Sequence, residues 1–198
     1  MNKVVSISRQ YGSAGRIIGM KLAQKLDIKC YDSALIDKIA EKTGFDKKYI
    51  QENGEYTSSG SWVLSAMAGR DYNGHSIQDE IWNVQREVIR EIAEKESCVI
   101  VGRNADYILG DKANVLSVFI HANEEERIER VLNEYKEVGE KEDSRRKIRQ
   151  MDKRRRAYCQ LYTDVQWGEA RCYDVSLSSS RFGIDKCVEI LEDMYHRM

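Results

Sequence analysis

Short apolar runs alternate along the chain with longer stretches in which apolar residues recur every three or four positions. The runs occupy residues 4–7, 98–101, 115–120 and 173–177, with a weaker one at 28–31. Each is almost continuously apolar, the pattern of strands covered on both faces in a parallel sheet. The longer stretches predict helices. Ser76 and Asp79 have the spacing of a capping box, and Ile77, Ile81, Val84, Val88 and Ile92 follow at helical intervals. Asn123 and Glu126 repeat that signal ahead of Ile128, Val131, Leu132, Tyr135 and Val138, with Glu124 and Glu125 suited to the positive end of the helix dipole. A final helix is expected through Ile184, Cys187, Val188, Leu191, Met194 and Tyr195.

Strands that alternate with helices imply βαβ crossovers and a doubly wound α/β sheet with helices on both faces. Ligands collect at the carboxyl ends of the strands in such sheets, so residues 3–19, 31–33 and 102–104 are expected to converge on one crevice. Two segments break the alternation: 52–76, rich in Gly, Ser and Asn, and 139–163, rich in charge. Both read as insertions able to move. A chain of 198 residues suits one core with such appendages, so a single domain over 1–198 is expected.

Composition narrows the function classes. With 41% apolar and 33% charged residues the chain is of the globular type. A formal net charge of -1 excludes a whole-molecule field that would hold nucleic acid or an anionic membrane, so any anion site must be local. The first ten residues lack the apolar core of a signal peptide, and no run approaches the ~18 apolar residues of a membrane span. A cytoplasmic protein with no membrane partner is expected. Cys30, Cys98, Cys159, Cys172 and Cys187 form no CxxC pair, and His75, His121 and His196 show no ligand spacing, so reduced thiols and no protein-held metal are expected.

The first apolar run leads into Gly12-Ser13-Ala14-Gly15-Arg16 and then into a helical pattern. A phosphate-binding loop of the form GxxxxGK[ST] uses glycines to curl backbone N–H groups around phosphate, a lysine to reach the outer phosphates and a hydroxyl for Mg2+. With Gly15 on the second glycine, the first becomes Gln10, the lysine Arg16 and the hydroxyl Ile17. The strand, the helix, two glycines and a cation survive. A cation opening an apolar helix opposes the dipole by ~0.3 to 1 kcal/mol, which an anion would compensate. The competing reading is a turn that serves only close packing of helix on strand, with Arg16 in water.

Residues 145–156, RRKIRQMDKRRR, hold eight cations and one carboxylate. Ile148, Met151, Tyr158 and Tyr162 make an apolar stripe on which Arg155 also falls, with Asp152 nearby. A cation turned inward is costly unless it is paired or meets a charged ligand. A solvated charged face accounts for Arg145, Arg146 and Lys147. An RNA-binding patch would use the same cations, but no wider basic surface or recognised module accompanies them. A lid whose arginines neutralise phosphates accounts for both the charge density and the inward Arg155.

Five stretches, VVSISRQYGSAGRIIG, KCYDSALID, VIVGRNADYIL, SVFIHANEEERIERV and MDKRRRAYCQLYTDVQWG, together resemble the cytidylate kinase-like family, a branch of the P-loop nucleoside monophosphate kinases, over essentially the whole chain. The resemblance implies a three-layer P-loop NTPase fold: a five-stranded parallel sheet with helices on both faces, an acceptor-binding insertion at about 33–96 and a mobile helical lid at about 139–170. It implies that Gly12, Ser13, Ala14, Gly15, Arg16 and Ile17 wrap the donor phosphates and that Asp32, Ser33, Arg103, Asn104, Asp152 and Arg155 meet the acceptor. Arg16 and Arg155 take the catalytic roles, and Arg127, Arg130, Arg149 and Arg156 are further candidates on the lid or donor side. Asn104 replaces the aspartate of the family's Gly-Arg-Asp, Ile148 stands where a further arginine falls, and the loop lacks both lysine and hydroxyl.

The expected activity is transfer of the γ-phosphate of ATP to a nucleoside monophosphate, CMP or dCMP first, with Mg2+ held by phosphates and water. Small-molecule nucleotides are the expected partners. The alternative is a catalytically degenerate module that binds nucleotide and regulates without turnover. Simpler readings stand beside each acceptor residue. Asp32 would cap the helix that follows it, Arg103 would pair with a surface carboxylate, and Asp152 would pair along its own helix with Arg155 or Arg156.

Overall fold

The computed structural model describes residues 2–53, 77–110, 114–135 and 141–198. Ser76 of the expected capping box and Val138 of the expected helix after Asn123 lie outside the described residues, as does most of the interruption at 52–76. Five strands form one parallel sheet: β1 (Lys3–Arg9), β2 (Lys29–Tyr31), β3 (Cys98–Val101), β4 (Asn114–His121) and β5 (Val175–Ser178). Their order across the sheet is β2-β3-β1-β4-β5. The register sets Val4 beside Cys98 and Val115, and Ile7 beside Val101 and Val118. All five expected strands are present, β1 being longer than its apolar run by Lys3, Ser8 and Arg9. The run at 173–177 yields a later strand, because Ala170–Cys172 forms a 3₁₀ turn and Tyr173 turns instead onto Phe119, at 5.0 Å between ring centres.

Helices cover both faces. On one, α1 (Gly15–Lys25) and α8 (Ser179–Arg197) bury Ile18, Leu22, Cys187, Val188 and Leu191 against Val5, Ile7, Val99 and Val118. On the other, α2 (Ser33–Thr43), α3 (Lys47–Asn53), α4 (Ile77–Lys95) and α5 (Ala105–Leu109) enclose Leu35, Ile39, Ile50, Ile81 and Ile89 against Val4 and Ile100. Central strands are therefore apolar on both sides, the physical reason that their sequence runs are continuous. At ~25 cal/mol per Å² of apolar surface removed from water, these two layers supply the main driving force of folding.

Two helices carry the charged C-terminal half of the site. α6 (Glu124–Arg130) follows β4 and passes into a π turn, Val131–Tyr135. Asn123 precedes α6 without a side-chain capping bond, so the expected capping box is not realised; its N–H donates instead to Ser180 Oγ at 2.8 Å. α7 (Lys141–Tyr162) buries Ile148 and Met151 with Tyr11, Ile128 and Val131 in a satellite core. Among the described residues, no helix is long and apolar enough to cross a membrane.

Candidate functional site

The glycine turn links β1 to α1 at the carboxyl edge of the sheet. Gly12 has φ +78° and Ala14 φ +62°, left-handed conformations that curl the turn. A Cβ on Gly12 would sit 2.8 Å from the Arg127 carbonyl oxygen, and one on Gly15 would sit 2.5 Å from Arg9 Cβ. Close packing therefore demands both glycines, and that reading of the turn holds locally. It does not account for the rest. Gln10, at the position of the missing first glycine, ties β1 to the end of β4: its N–H donates to Ile120 O at 2.9 Å and its Oε1 accepts from Ala122 N–H at 3.1 Å.

The carbonyls of the turn are each engaged from outside. Tyr11 O accepts from Arg127 Nε at 2.7 Å, Gly12 O from Arg130 Nη1 at 2.6 Å and Ser13 O from Ser179 Oγ at 2.7 Å. Within a trans peptide the N–H points opposite to the C=O. Drawing these carbonyls outward aims the N–H groups of Gly12 and Ala14 the other way. The opening amides of α1, Gly15, Arg16 and Ile17, also have no acceptor within their helix. The result is a concave set of donors at a helix N-terminus, chemistry that suits a phosphate.

Arg127 and Arg130, expected on the lid or donor side, are thus committed to the turn's own backbone. Asp152, expected at the acceptor, accepts Tyr11 N–H at 2.8 Å and pairs with Arg127 Nη2. It is not an intrahelical partner of Arg155 or Arg156, because its carboxylate faces the turn. Arg16 is 57% exposed and its Nε lies 2.6 Å from Asp32 Oδ2. The cation that opens α1 is compensated here by a carboxylate, and Asp32 makes no capping bond to α2. Residues expected on opposite substrates, Arg16 and Asp32, meet each other. Such an exposed pair is worth ~0 to 1 kcal/mol, so a polyphosphate would displace it at small cost.

The residues after β3 adopt an unusual backbone. Gly102, Arg103 and Asn104 have φ +78°, +65° and +52°, three left-handed residues in succession. For a non-glycine this costs about 1–2 kcal/mol each, less for asparagine. The strain drives Arg103 and Asn104 inward, to 5% and 8% exposure. Arg103 finds no carboxylate among the described residues, against the expectation of a surface pair; its Nη1 has only Gln85 Oε1, at 3.5 Å. The Asn104 amide nitrogen is buried with no hydrogen-bond partner among the described residues. Gln85 braces the turn by donating to Arg103 O and to the Tyr158 hydroxyl, both at 3.1 Å.

These groups line a small cavity bounded by Ser8, Arg9, Gly102, Arg103, Asn104, Arg155, Tyr158 and Trp167. Arg155 donates to Arg9 O at 3.0 Å and lies over the Tyr11 ring, 5.7 Å from its centre. Three buried guanidinium groups thus share one space beside the glycine turn, and Arg155 leans inward as its place on the apolar stripe implied. Behind Asn104 a second narrow space meets Asp106, Cys159, Thr163 and Tyr173. Burial raises the Asp106 carboxyl and pushes the Cys159 thiol up to about 11. Arg156 lies over the Trp167 ring at 5.8 Å, and Arg149 is exposed and paired with Glu124 at 3.1 Å, away from this cavity. Ser33 opens α2 beside Asp32.

Arg9, Gln85 and Ser179 were not read as site residues. Arg9 carried a signal, a charge ending an apolar strand beside a glycine turn. Gln85 carried one too: four residues after Ile81, it lies on the buried stripe of α4, where a polar side chain needs a partner. The fit of the site to Mg2+ is partial. Ile17 offers no oxygen, the Ser13 hydroxyl donates to Gln10 O at 2.8 Å, and Asp32 is paired with Arg16.

The model of the cytidylate kinase-like family matches residues 4–181. No curated protein matches the chain. A crystal structure of an uncharacterized protein from Eubacterium ventriosum is similar at 25% identity and TM-score 0.75, with 100% of both chains covered. Shikimate kinase from Bacteroides thetaiotaomicron is similar at 15% identity and TM-score 0.57, covering 98% of each chain. Shikimate kinase from Acinetobacter baumannii, in complex with shikimate, is similar at 14% identity and TM-score 0.53, covering 100% of this chain and 94% of that one. At those identities the two kinases show the fold alone, the three-layer P-loop NTPase architecture.

Proposed function

The chain belongs to the cytidylate kinase-like family, and from that premise we propose that it is a phosphotransferase moving the γ-phosphate of ATP to a nucleoside monophosphate, CMP or dCMP first. The observation that carries this reading is Arg103, a buried arginine with no carboxylate partner among the described residues, on a strained turn that opens into the same cavity as Arg155. A buried unpaired cation is costly, and an anionic acceptor removes the cost when it binds. The donor would lie along the glycine turn, its phosphates on the amides of Gly12, Ala14 and Gly15 and on Arg16 released from Asp32.

Phosphoryl transfer spreads negative charge over the moving group, and positioned cations with water excluded supply most of the catalysis. Arg155 and Arg103 would hold acceptor and transferred group, with Asn104 donating to an acceptor oxygen. Mg2+ would enter with the donor, on phosphate and water, and neutralise charge there; no step is assigned to a protein-held metal. The acceptor insertion at about 33–96 and the lid at about 139–170 belong to the same reading, as does a cytoplasmic location.

One observation favours a second reading. Arg16 is held by Asp32 and is followed by Ile17, which suits a nucleotide-binding regulator without turnover. Incubation with Mg-ATP and each nucleoside monophosphate separates the two. Diphosphate product with CMP or dCMP at ordinary enzymatic rates is the expected result, and tight nucleotide binding with no product from any acceptor overturns it.

A further inference from the structure

Asp152 and Arg127 close a ring around one residue of the glycine turn. Tyr11 donates its N–H to Asp152 Oδ1 at 2.8 Å and offers its C=O to Arg127 Nε at 2.7 Å, and Arg127 Nη2 returns to Asp152 Oδ2. The two side chains, from α7 and α6, are only 16% and 8% exposed. Arg130 takes the next carbonyl, and the Arg127 backbone fills the space where a Gly12 side chain would stand. Around the ring, Tyr11 packs with Ile148 and Met151 of α7 and sets its ring edge-on to Tyr135 in the π turn, at 5.7 Å.

We propose that Asp152 and Arg127 are positioning residues of the donor side: they join the lid helix to the glycine turn, so that the turn's amides hold their phosphate-ready arrangement only while α7 is docked. This rests on the phosphotransferase reading and deepens it. The resemblance places Asp152 at the acceptor, whereas both of its carboxylate oxygens are engaged at the turn. Loss of Asp152 should therefore be felt by ATP and not by the acceptor. Charge-assisted bonds in a nearly buried site are among the stronger hydrogen bonds, so removing one end releases the Tyr11 peptide from both.

The test compares wild type, Asp152→Asn and Arg127→Lys, full chain, in two measurements. Amide exchange of the nucleotide-free protein, resolved at Tyr11 and over residues 12–16, is expected to speed up at least tenfold in both variants, with exchange in β1 and β4 unchanged. Steady-state kinetics are expected to show KM for ATP raised at least fivefold and KM for the acceptor within twofold of wild type. Unchanged exchange at Tyr11, a uniform increase across the sheet, or a rise in acceptor KM alone would overturn the proposal. Should no acceptor turn over, the exchange measurement still decides the coupling, so its failure and that of the kinase reading are distinguishable. Asp152→Asn preserves shape and an acceptor oxygen; if it does not fold, Arg127→Lys alone carries the exchange measurement and decides the proposal.

Discussion

Single residues at this site are held in conformations that the chain would not choose locally. Gly12→Ala places a methyl 2.8 Å from a backbone oxygen at φ +78°. The left-handed term alone costs about 1–2 kcal/mol, so thermal unfolding should show Tm several degrees lower. Arg103 behaves in the opposite way. Arg103→Met keeps the stem, removes a buried charge with one 3.5 Å bond, and should leave Tm unchanged or raised while cutting turnover about 100-fold. A large fall in Tm would show Arg103 to be structural. The cations near the glycine turn and on α7 were visible from residue type and spacing. Their division into backbone clamps (Arg127, Arg130) and cavity groups (Arg103, Arg155) was not, because that depends on which oxygen lies within 3 Å in three dimensions.

At the scale of elements, strands and helices followed from apolar period, and misses fell where side chains found distant partners. Asp32 turns its carboxylate to Arg16 and makes no cap, and the backbone N–H of Asn123, which a capping box would give to Glu126, goes to Ser180. Both partners come from other elements, which no local pattern reports. Arg155 of α7 and Trp167, in the turn that follows that helix, line one cavity, with Trp167 also edge-on to Phe119 at 5.2 Å. Ligand entry should alter its surroundings. Titration with ATP plus acceptor is expected to change tryptophan emission, and Trp167→Phe to remove most of that change; an undiminished change would place the reporting group elsewhere.

For the whole molecule, burial of thiols ties stability to alkaline pH. Burial pushes Cys98 up to about 12, and Cys30 and Cys159 to about 11, from an ordinary value near 9. Each group keeps its proton more firmly when folded, so its contribution is fully present below pH 9 and is lost as pH rises towards the folded values. Tm should be insensitive to these groups near neutrality and fall between pH 9 and 11. Cys98→Ala should shallow that slope while lowering Tm at pH 7; an identical slope would remove Cys98 from the account.

The sequence alone determined the layered α/β architecture, because period and burial of apolar residues are local consequences of how strands and helices meet a core. It also determined that glycines and arginines would gather at one edge of the sheet. Only the tertiary structure decided which arginine meets which group: the partners of Arg16, Arg127 and Asp152 lie 16 to 141 positions away along the chain, and a charged side chain takes its meaning from the nearest opposite charge in space.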